Sequence, residues 1–151
     1  MVQYILNKEN YVKEKQLHIK TLKFNNIIAL EYFIPKIQFL IDSFNEEYQW
    51  DDMFDIIEVK NRIKNGHILF LLYYENDPIG YVWFKELDKS TCFGYNLYVT
   101  KKVGRPKDAP KWFYNKVSGE MLNQYNTIKV EIEDWNNIVF DLVESIGYKL
   151  C

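Results

Sequence analysis

Six basic residues crowd into the stretch 101–116: Lys101, Lys102, Arg105, Lys107, Lys111 and Lys116, against a single acid, Asp108. The chain as a whole has a formal net charge of -2, so this is a local field and not a general one. A basic cluster at the start of a helix suits a polyphosphate, because free backbone N–H groups and the positive end of the helix dipole meet the lysines there. The other reading is a solvated surface loop. Two more groups have types and spacing fit for chemistry. Between Asp42 and Glu58 lie Asp42, Glu46, Glu47, Asp51, Asp52, Asp55 and Glu58 without one basic residue, interleaved with Phe44, Tyr48, Trp50 and Phe54. Carboxylates beside aromatic faces suit an ammonium group by charge pairing and cation–π contact, and two solvated helix ends would show the same pattern. The third group is the carboxylate run Glu131, Glu133 and Asp134, any of which can take a proton from a nucleophile. Cys92 and Cys151 are too few for a disulfide framework, and no Cys/His set has the spacing of metal ligands.

The elements that must carry these residues read most clearly in the middle. His67 to Tyr74 and Ile79 to Leu87 are apolar, aromatic runs separated by Glu75-Asn76-Asp77-Pro78, which predicts a hairpin. Thr91 to Thr100 adds a third strand, completing a meander. Ala109 to Tyr125 switches to helical spacing, with Pro110 in the first turn. Thr127 to Glu133 alternates as a strand, a helix follows from Asn136 to a stop at Gly147, and Tyr148 to Leu150 forms a last short strand. Earlier, Pro35 to Tyr48 and Asp51 to Asn65 read as helices, and Ile27 to Phe33 as a strand, with His18 to Phe24 pairing to it across Asn25-Asn26. Met1 to Leu17 shows no period.

With 151 residues, 48% of them hydrophobic, the chain fits one domain with a packed core, residues 1–25 forming an N-terminal extension. No apolar run is long enough to span a membrane, and the start lacks the pattern of an export signal, so a cytoplasmic protein with no membrane partner is expected.

The order strand, helix, helix, meander, helix, strand, helix, strand over about 27–150 resembles the GCN5-related N-acetyltransferase (GNAT) fold. Leu97-Tyr98-Val99 is similar to the family's "L-Y-V" strand, whose bulged backbone holds pantetheine and the acetyl group. Val130-Glu131-Ile132, Asn136 and Ile146-Gly147-Tyr148 resemble its "L-E-V … N … L-G-F" signature. The resemblance implies an α+β fold: a mixed, mostly antiparallel sheet of six or seven strands flanked by about four helices. It implies acetyl-CoA as cofactor, held by Leu97, Tyr98, Val99, Gly104, Arg105, Lys107, Ala109 and Asn136, with Glu131 as catalytic base. The acceptor would be an amine-bearing small molecule or peptide, bound by Glu47, Trp50 and Asp51, where the family's first two helices meet. The sequence departs from the family in two places. Its phosphate loop offers only Gly104, followed by Arg105-Pro106, and the position of the family's proton-donating tyrosine is Val143. An N-acetyltransferase is therefore the first expectation, and a non-catalytic relative that binds a protein or senses CoA is the second. Nucleic acid is not expected, and a homodimer is compatible with the chain.

Overall fold

The structure is a computed structural model describing residues 1–14, 19–48, 55–101 and 105–151. Seven strands form one mixed sheet: β1 (Val2–Asn7), β2 (Ile19–Phe24), β3 (Ile68–Tyr74), β4 (Asp77–Asp88), β5 (Thr91–Val99), β6 (Thr127–Ile132) and β7 (Lys149–Leu150), in the order β2-β3-β4-β5-β6-β1-β7. Five α-helices are seen among the described residues, where about four were expected: α1 (Ile27–Glu31), α2 (Ile34–Tyr48), α3 (Ile56–Lys64), α4 (Ala109–Met121) and α5 (Asn137–Ile146).

The chain divides into two compact units, one of Met1–Leu17, Phe84–Tyr95 and Lys107–Cys151 and the other of His18–Trp83 and Asn96–Pro106. In the second unit, Ile37, Leu40 and Ile41 of α2 and Val59 of α3 pack on Leu69 and Leu71 of β3 and on Tyr81 and Trp83 of β4, around a void of only about 10 Å3. That layer is tightly filled by apolar and aromatic side chains, as the unbroken apolar run of β3 requires. In the first unit, Phe113, Val117 and Met121 of α4, Ile128 of β6 and Val143 and Ile146 of α5 are all buried together with Leu6 of β1.

The meander, α4, β6 and α5 fall where their periods put them. The Asn136 side chain accepts the Val139 N–H at 3.3 Å to open α5, and Gly147 closes it at a φ of 113°. Three expectations are corrected. Ile27 to Phe33 is not a strand: the Asn26 side chain accepts the Ile28 N–H at 2.7 Å and so starts helix α1 instead of turning a hairpin. Residues 19–24 consequently pair with β3, from Ile19↔Tyr74 to Phe24↔Leu69. The second long helix begins only at Ile56, because the Asp55 carboxylate caps the Glu58 N–H at 2.9 Å, and the expected stretch before it falls partly outside the described residues. The aperiodic N-terminus contains β1, which lies antiparallel to β6 from Val2↔Ile132 to Asn7↔Thr127.

Candidate active site

β5 is shaped by two local devices. Its parallel pairing with β6 runs from Thr91↔Thr127 to Gly94↔Val130, and two residues further on Asn96 has a φ of 53°. A left-handed residue breaks the strand's regular pleat, and asparagine tolerates that conformation better than other residues with a β-carbon. Beyond the break, Leu97 is half-buried while Tyr98 and Val99 are buried. On β4, Gly80 carries the second device: a Cβ there would lie 2.5 Å from the Tyr98 carbonyl oxygen. Only glycine admits this close approach of β4 to β5.

The residues taken from sequence as acceptor-binding and cofactor-binding meet at this point. Glu47, in the last turn of α2, accepts a hydrogen bond from the Tyr98 hydroxyl through Oε2. Its Oε1 accepts the Lys101 backbone N–H at 2.7 Å and the Thr100 hydroxyl at 3.3 Å. Both carboxylate oxygens are thus taken up by donors from 98–101, and the end of β5 is pinned to α2. Charge assistance makes such bonds stronger than neutral ones. Around them the rings of Phe44, Tyr48, Tyr81 and Tyr98 form a cluster: the Tyr98 centroid is 5.3 Å from that of Phe44, 5.4 Å from Tyr81 and 6.0 Å from Tyr48. Tyr48 is exposed at 44%, giving the cluster an open side. Burial pushes the Tyr81 hydroxyl well above its usual range, against a smaller opposing effect of the Arg62 charge, so Tyr81 stays protonated at neutral pH.

Arg62 and Asn96 belong to this neighbourhood and the sequence reading missed both. Arg62 donates to Glu58 at 3.0 Å and to Asn96 Oδ1 at 3.1 Å, and its guanidinium lies 5.2 Å from the Trp83 ring centroid. The signal for Asn96 was present, since asparagine is a poor strand former inside an aromatic, β-branched run. Nothing local pointed to Arg62, whose partner lies 34 residues away.

The remaining expected site residues are spread over other elements. Arg105 is half-buried, and its Nη1 is buried without a hydrogen-bond partner among the described residues. Lys107 is exposed and Ala109 fully buried in the first turn of α4, whose preceding residue, Asp108, makes no side-chain cap. The basic run does not act as one cluster: Lys111 pairs with Glu14 at 3.5 Å. Glu131 is exposed and sits opposite Gln3 in the β1–β6 register. Asn136 is spent as the α5 cap. Val143 is buried at 2% exposure and offers no proton. Trp50, Asp51, Lys102 and Gly104 lie outside the described residues. Among the described residues no group of His, Cys, Asp and Glu is placed to hold a metal, and no helix is long and apolar enough to cross a membrane.

Neither a family model nor a curated protein sequence matches the chain. Solved structures do. A GNAT-family acetyltransferase from Novosphingobium aromaticivorans superposes with a TM-score of 0.68 at 10% identity, over 99% of this chain and 59% of that one. A conserved protein of unknown function from Staphylococcus epidermidis gives 0.64 at 13%, over 99% and 57%. The chain therefore spans somewhat under two thirds of the length of both. An aminoglycoside acetyltransferase from an uncultured soil metagenomic sample gives 0.61 at 15%, over 85% of this chain and 87% of its own. These likenesses establish that the chain has a divergent GNAT fold.

Proposed function

We propose that the protein transfers an acetyl group from acetyl-CoA to a primary amine of a cationic small molecule or peptide. The observation that carries this reading is the junction at Tyr98. A strand with the family's cofactor-binding sequence is held by a carboxylate from the helix expected to face the acceptor, beside an aromatic cluster with one exposed ring. Fit to the cofactor is supported by the buried Arg105 Nη1, which has no hydrogen-bond partner among the described residues and is a donor that a phosphate would satisfy, and, separately, by the start of α4, where Asp108 makes no side-chain cap. Leu97, Tyr98, Val99, Gly104, Arg105, Lys107, Ala109 and Asn136 make up the proposed cofactor set. Bound there, acetyl-CoA supplies a thioester carbonyl and a thiolate leaving group.

The chain's own residues have three tasks. Backbone N–H groups of the Leu97–Val99 segment orient the carbonyl and stabilise negative charge developing on its oxygen. An amine is mostly protonated at neutral pH and must lose a proton before attacking, the role of Glu131, directly or through water. The rings of Phe44 and Tyr48, with Trp50 and Asp51, attract the acceptor's cationic groups. Glu47 acts behind them, since its oxygens are already engaged. The Tyr98 hydroxyl proton is directed at Glu47, which leaves Tyr95 or water to protonate the thiolate. An aminoglycoside acetyltransferase among the structural neighbours, also solved in complex with sisomicin, supports a polyamine acceptor.

Calorimetric titration with acetyl-CoA is the first test. Binding should weaken with salt and with Arg105→Gln, and absence of heat and of thermal stabilisation at low ionic strength removes the proposal. With acceptor present, Glu131→Gln should slow turnover by ~10²–10⁴-fold while Glu133→Gln does not. Equal rates for wild type and Glu131→Gln would take Glu131 out of the mechanism.

A further inference from the structure

A cleft lies away from the start of α4, over the middle and end of that helix. It has a volume of about 620 Å3 and is lined by Lys8, Tyr11, Lys13, Lys116, Glu120 and Asn123, with Gly119 and Leu122 as its floor, all within the first unit. Its construction is specific. Asn115 of α4 is 1% exposed, and its side chain is saturated by the N-terminal segment: Oδ1 accepts from the Tyr11 hydroxyl at 2.9 Å and the Glu14 N–H at 3.2 Å, and Nδ2 donates to the Val12 carbonyl at 2.7 Å. The Val12 N–H is in turn bound to the Ile146 carbonyl at 2.9 Å. The Tyr11 ring lies close over position 119, where a Cβ would come within 2.5 Å of the phenol oxygen, and glycine leaves it that room. Glycine is a poorer helix former than alanine, so this contact is kept against helix propensity.

The N-terminal strap, residues 8–14, and α4 together bring three lysines to one place. Lys8 and Lys13 come from the strap and the half-buried Lys116 from the helix, and none of the three makes an ion pair with a described residue. The nearby carboxylate of Glu14 is drawn off by Lys111. Among the described residues of its lining, three positive groups stand against Glu120 in a protein whose formal net charge is -2. Like charges gathered at one cleft repel one another, and a multiply charged anion relieves that repulsion. Lys116 stands eight residues beyond Asp108, about 12 Å along the helix axis, so the cleft is not the helix N-terminus invoked for the cofactor.

We propose that this cleft is a second anion site, built to hold a small molecule bearing several phosphates through Lys8, Lys13 and Lys116. The probe is inorganic tripolyphosphate, titrated calorimetrically into the intact chain at about 0.01 M ionic strength and again near 1 M, where charge interactions are screened beyond about 3 Å. Binding should appear at low salt and vanish at high salt. The double variant Lys13→Gln/Lys116→Gln should weaken it about tenfold or more, a change of two exposed or half-exposed side chains that leaves the Asn115 bonds intact. With the proposed cofactor site filled by saturating acetyl-CoA, tripolyphosphate should still bind at the cleft, and Arg105→Gln/Lys107→Gln should leave that binding unchanged. No binding at low salt, equal binding to wild type and the lysine variant, loss in the Arg105/Lys107 variant alone, or displacement by acetyl-CoA would each overturn a separate site. Because acetyl-CoA binding is read independently, failure here leaves the transferase proposal standing, and the reverse also holds.

Discussion

Replacing Glu47 by alanine removes one acceptor group from three donors at once, and the cost follows from how each donor is placed. The Tyr98 side chain is buried, with 3% exposure, so its hydroxyl loses a charge-assisted bond that water cannot replace; such bonds contribute about 1.5–3 kcal/mol. The Lys101 N–H belongs to an exposed residue and can turn to solvent, leaving a loss of about 0.5–1 kcal/mol. The Thr100 contact, at 3.3 Å, adds little. Glu47→Ala should therefore destabilise the fold by about 2–4 kcal/mol, well inside the 5–15 kcal/mol typical of a domain, so the variant remains folded at 25 °C. A double-mutant cycle in urea isolates the central bond. Tyr98→Phe removes the hydroxyl without the ring, and the coupling between the two changes should be about 1–2 kcal/mol. Additivity within about 0.3 kcal/mol would refute the argument, since residues joined by a bond that matters cannot act independently. The same variants separate holding the strand from holding the acceptor. If Glu47 positions β5, Glu47→Gln alters acetyl-CoA affinity and leaves the acceptor KM alone; a raised acceptor KM at unchanged stability would return the carboxylate to the acceptor.

Gly80→Ala should destabilise by about 1–3 kcal/mol, because the new methyl meets a backbone oxygen and not a movable side chain; a melting temperature equal to wild type would show that β4 and β5 tolerate the separation. Alkaline pH should weaken the fold in a defined window. The Tyr125 hydroxyl is pushed up to about 12, first by burial and then by its bond to Glu86, and the hydroxyls of Tyr81, Tyr114 and Tyr148 are raised by burial as well. A raised folded value means that the stabilisation is whole below pH 10, where the unfolded chain's tyrosines stay neutral, and is lost as pH rises through about 12. Tyrosinate absorbance should then rise together with loss of structure, and titration of the full tyrosine set near pH 10 in a folded chain would contradict it.

Most of the architecture was legible wherever period and punctuation agreed. The alternation of Ile128, Val130 and Ile132 and the pair Asn136 and Gly147 each had one physical reading, and the structure kept it. The run Ile27–Glu31 had two, since four consecutive apolar residues suit a strand or a helix turn equally, and the deciding bond came from the side chain of Asn26, which the sequence reading had assigned to a hairpin turn. β1 left no trace because its pattern makes sense only beside β6. The site followed the same division. Glu47 and Tyr98 were each singled out, yet for separate tasks, and the bond between them spans 51 residues. Composition and spacing identify groups able to do chemistry, whereas their pairing belongs to the tertiary structure.

The placement of β1 sets an order of assembly. Its partner strand begins 120 residues later, so Asn7 and Thr127 can meet only when all the residues between them have been made. The entropy of closing a loop rises slowly with its length, but the closure must come before any contact across it is made, which is the usual reason that distant pairings fold late. The second unit has no such dependence, for β2, β3, α2 and α3 are close neighbours in sequence. During synthesis the aromatic layer around Glu47 can therefore consolidate while Val2–Asn7 still waits as an unpaired strand. Those six residues are the segment most exposed to wrong partners until β6 arrives, and the strap that follows them can lock onto Asn115 only after α4 has formed.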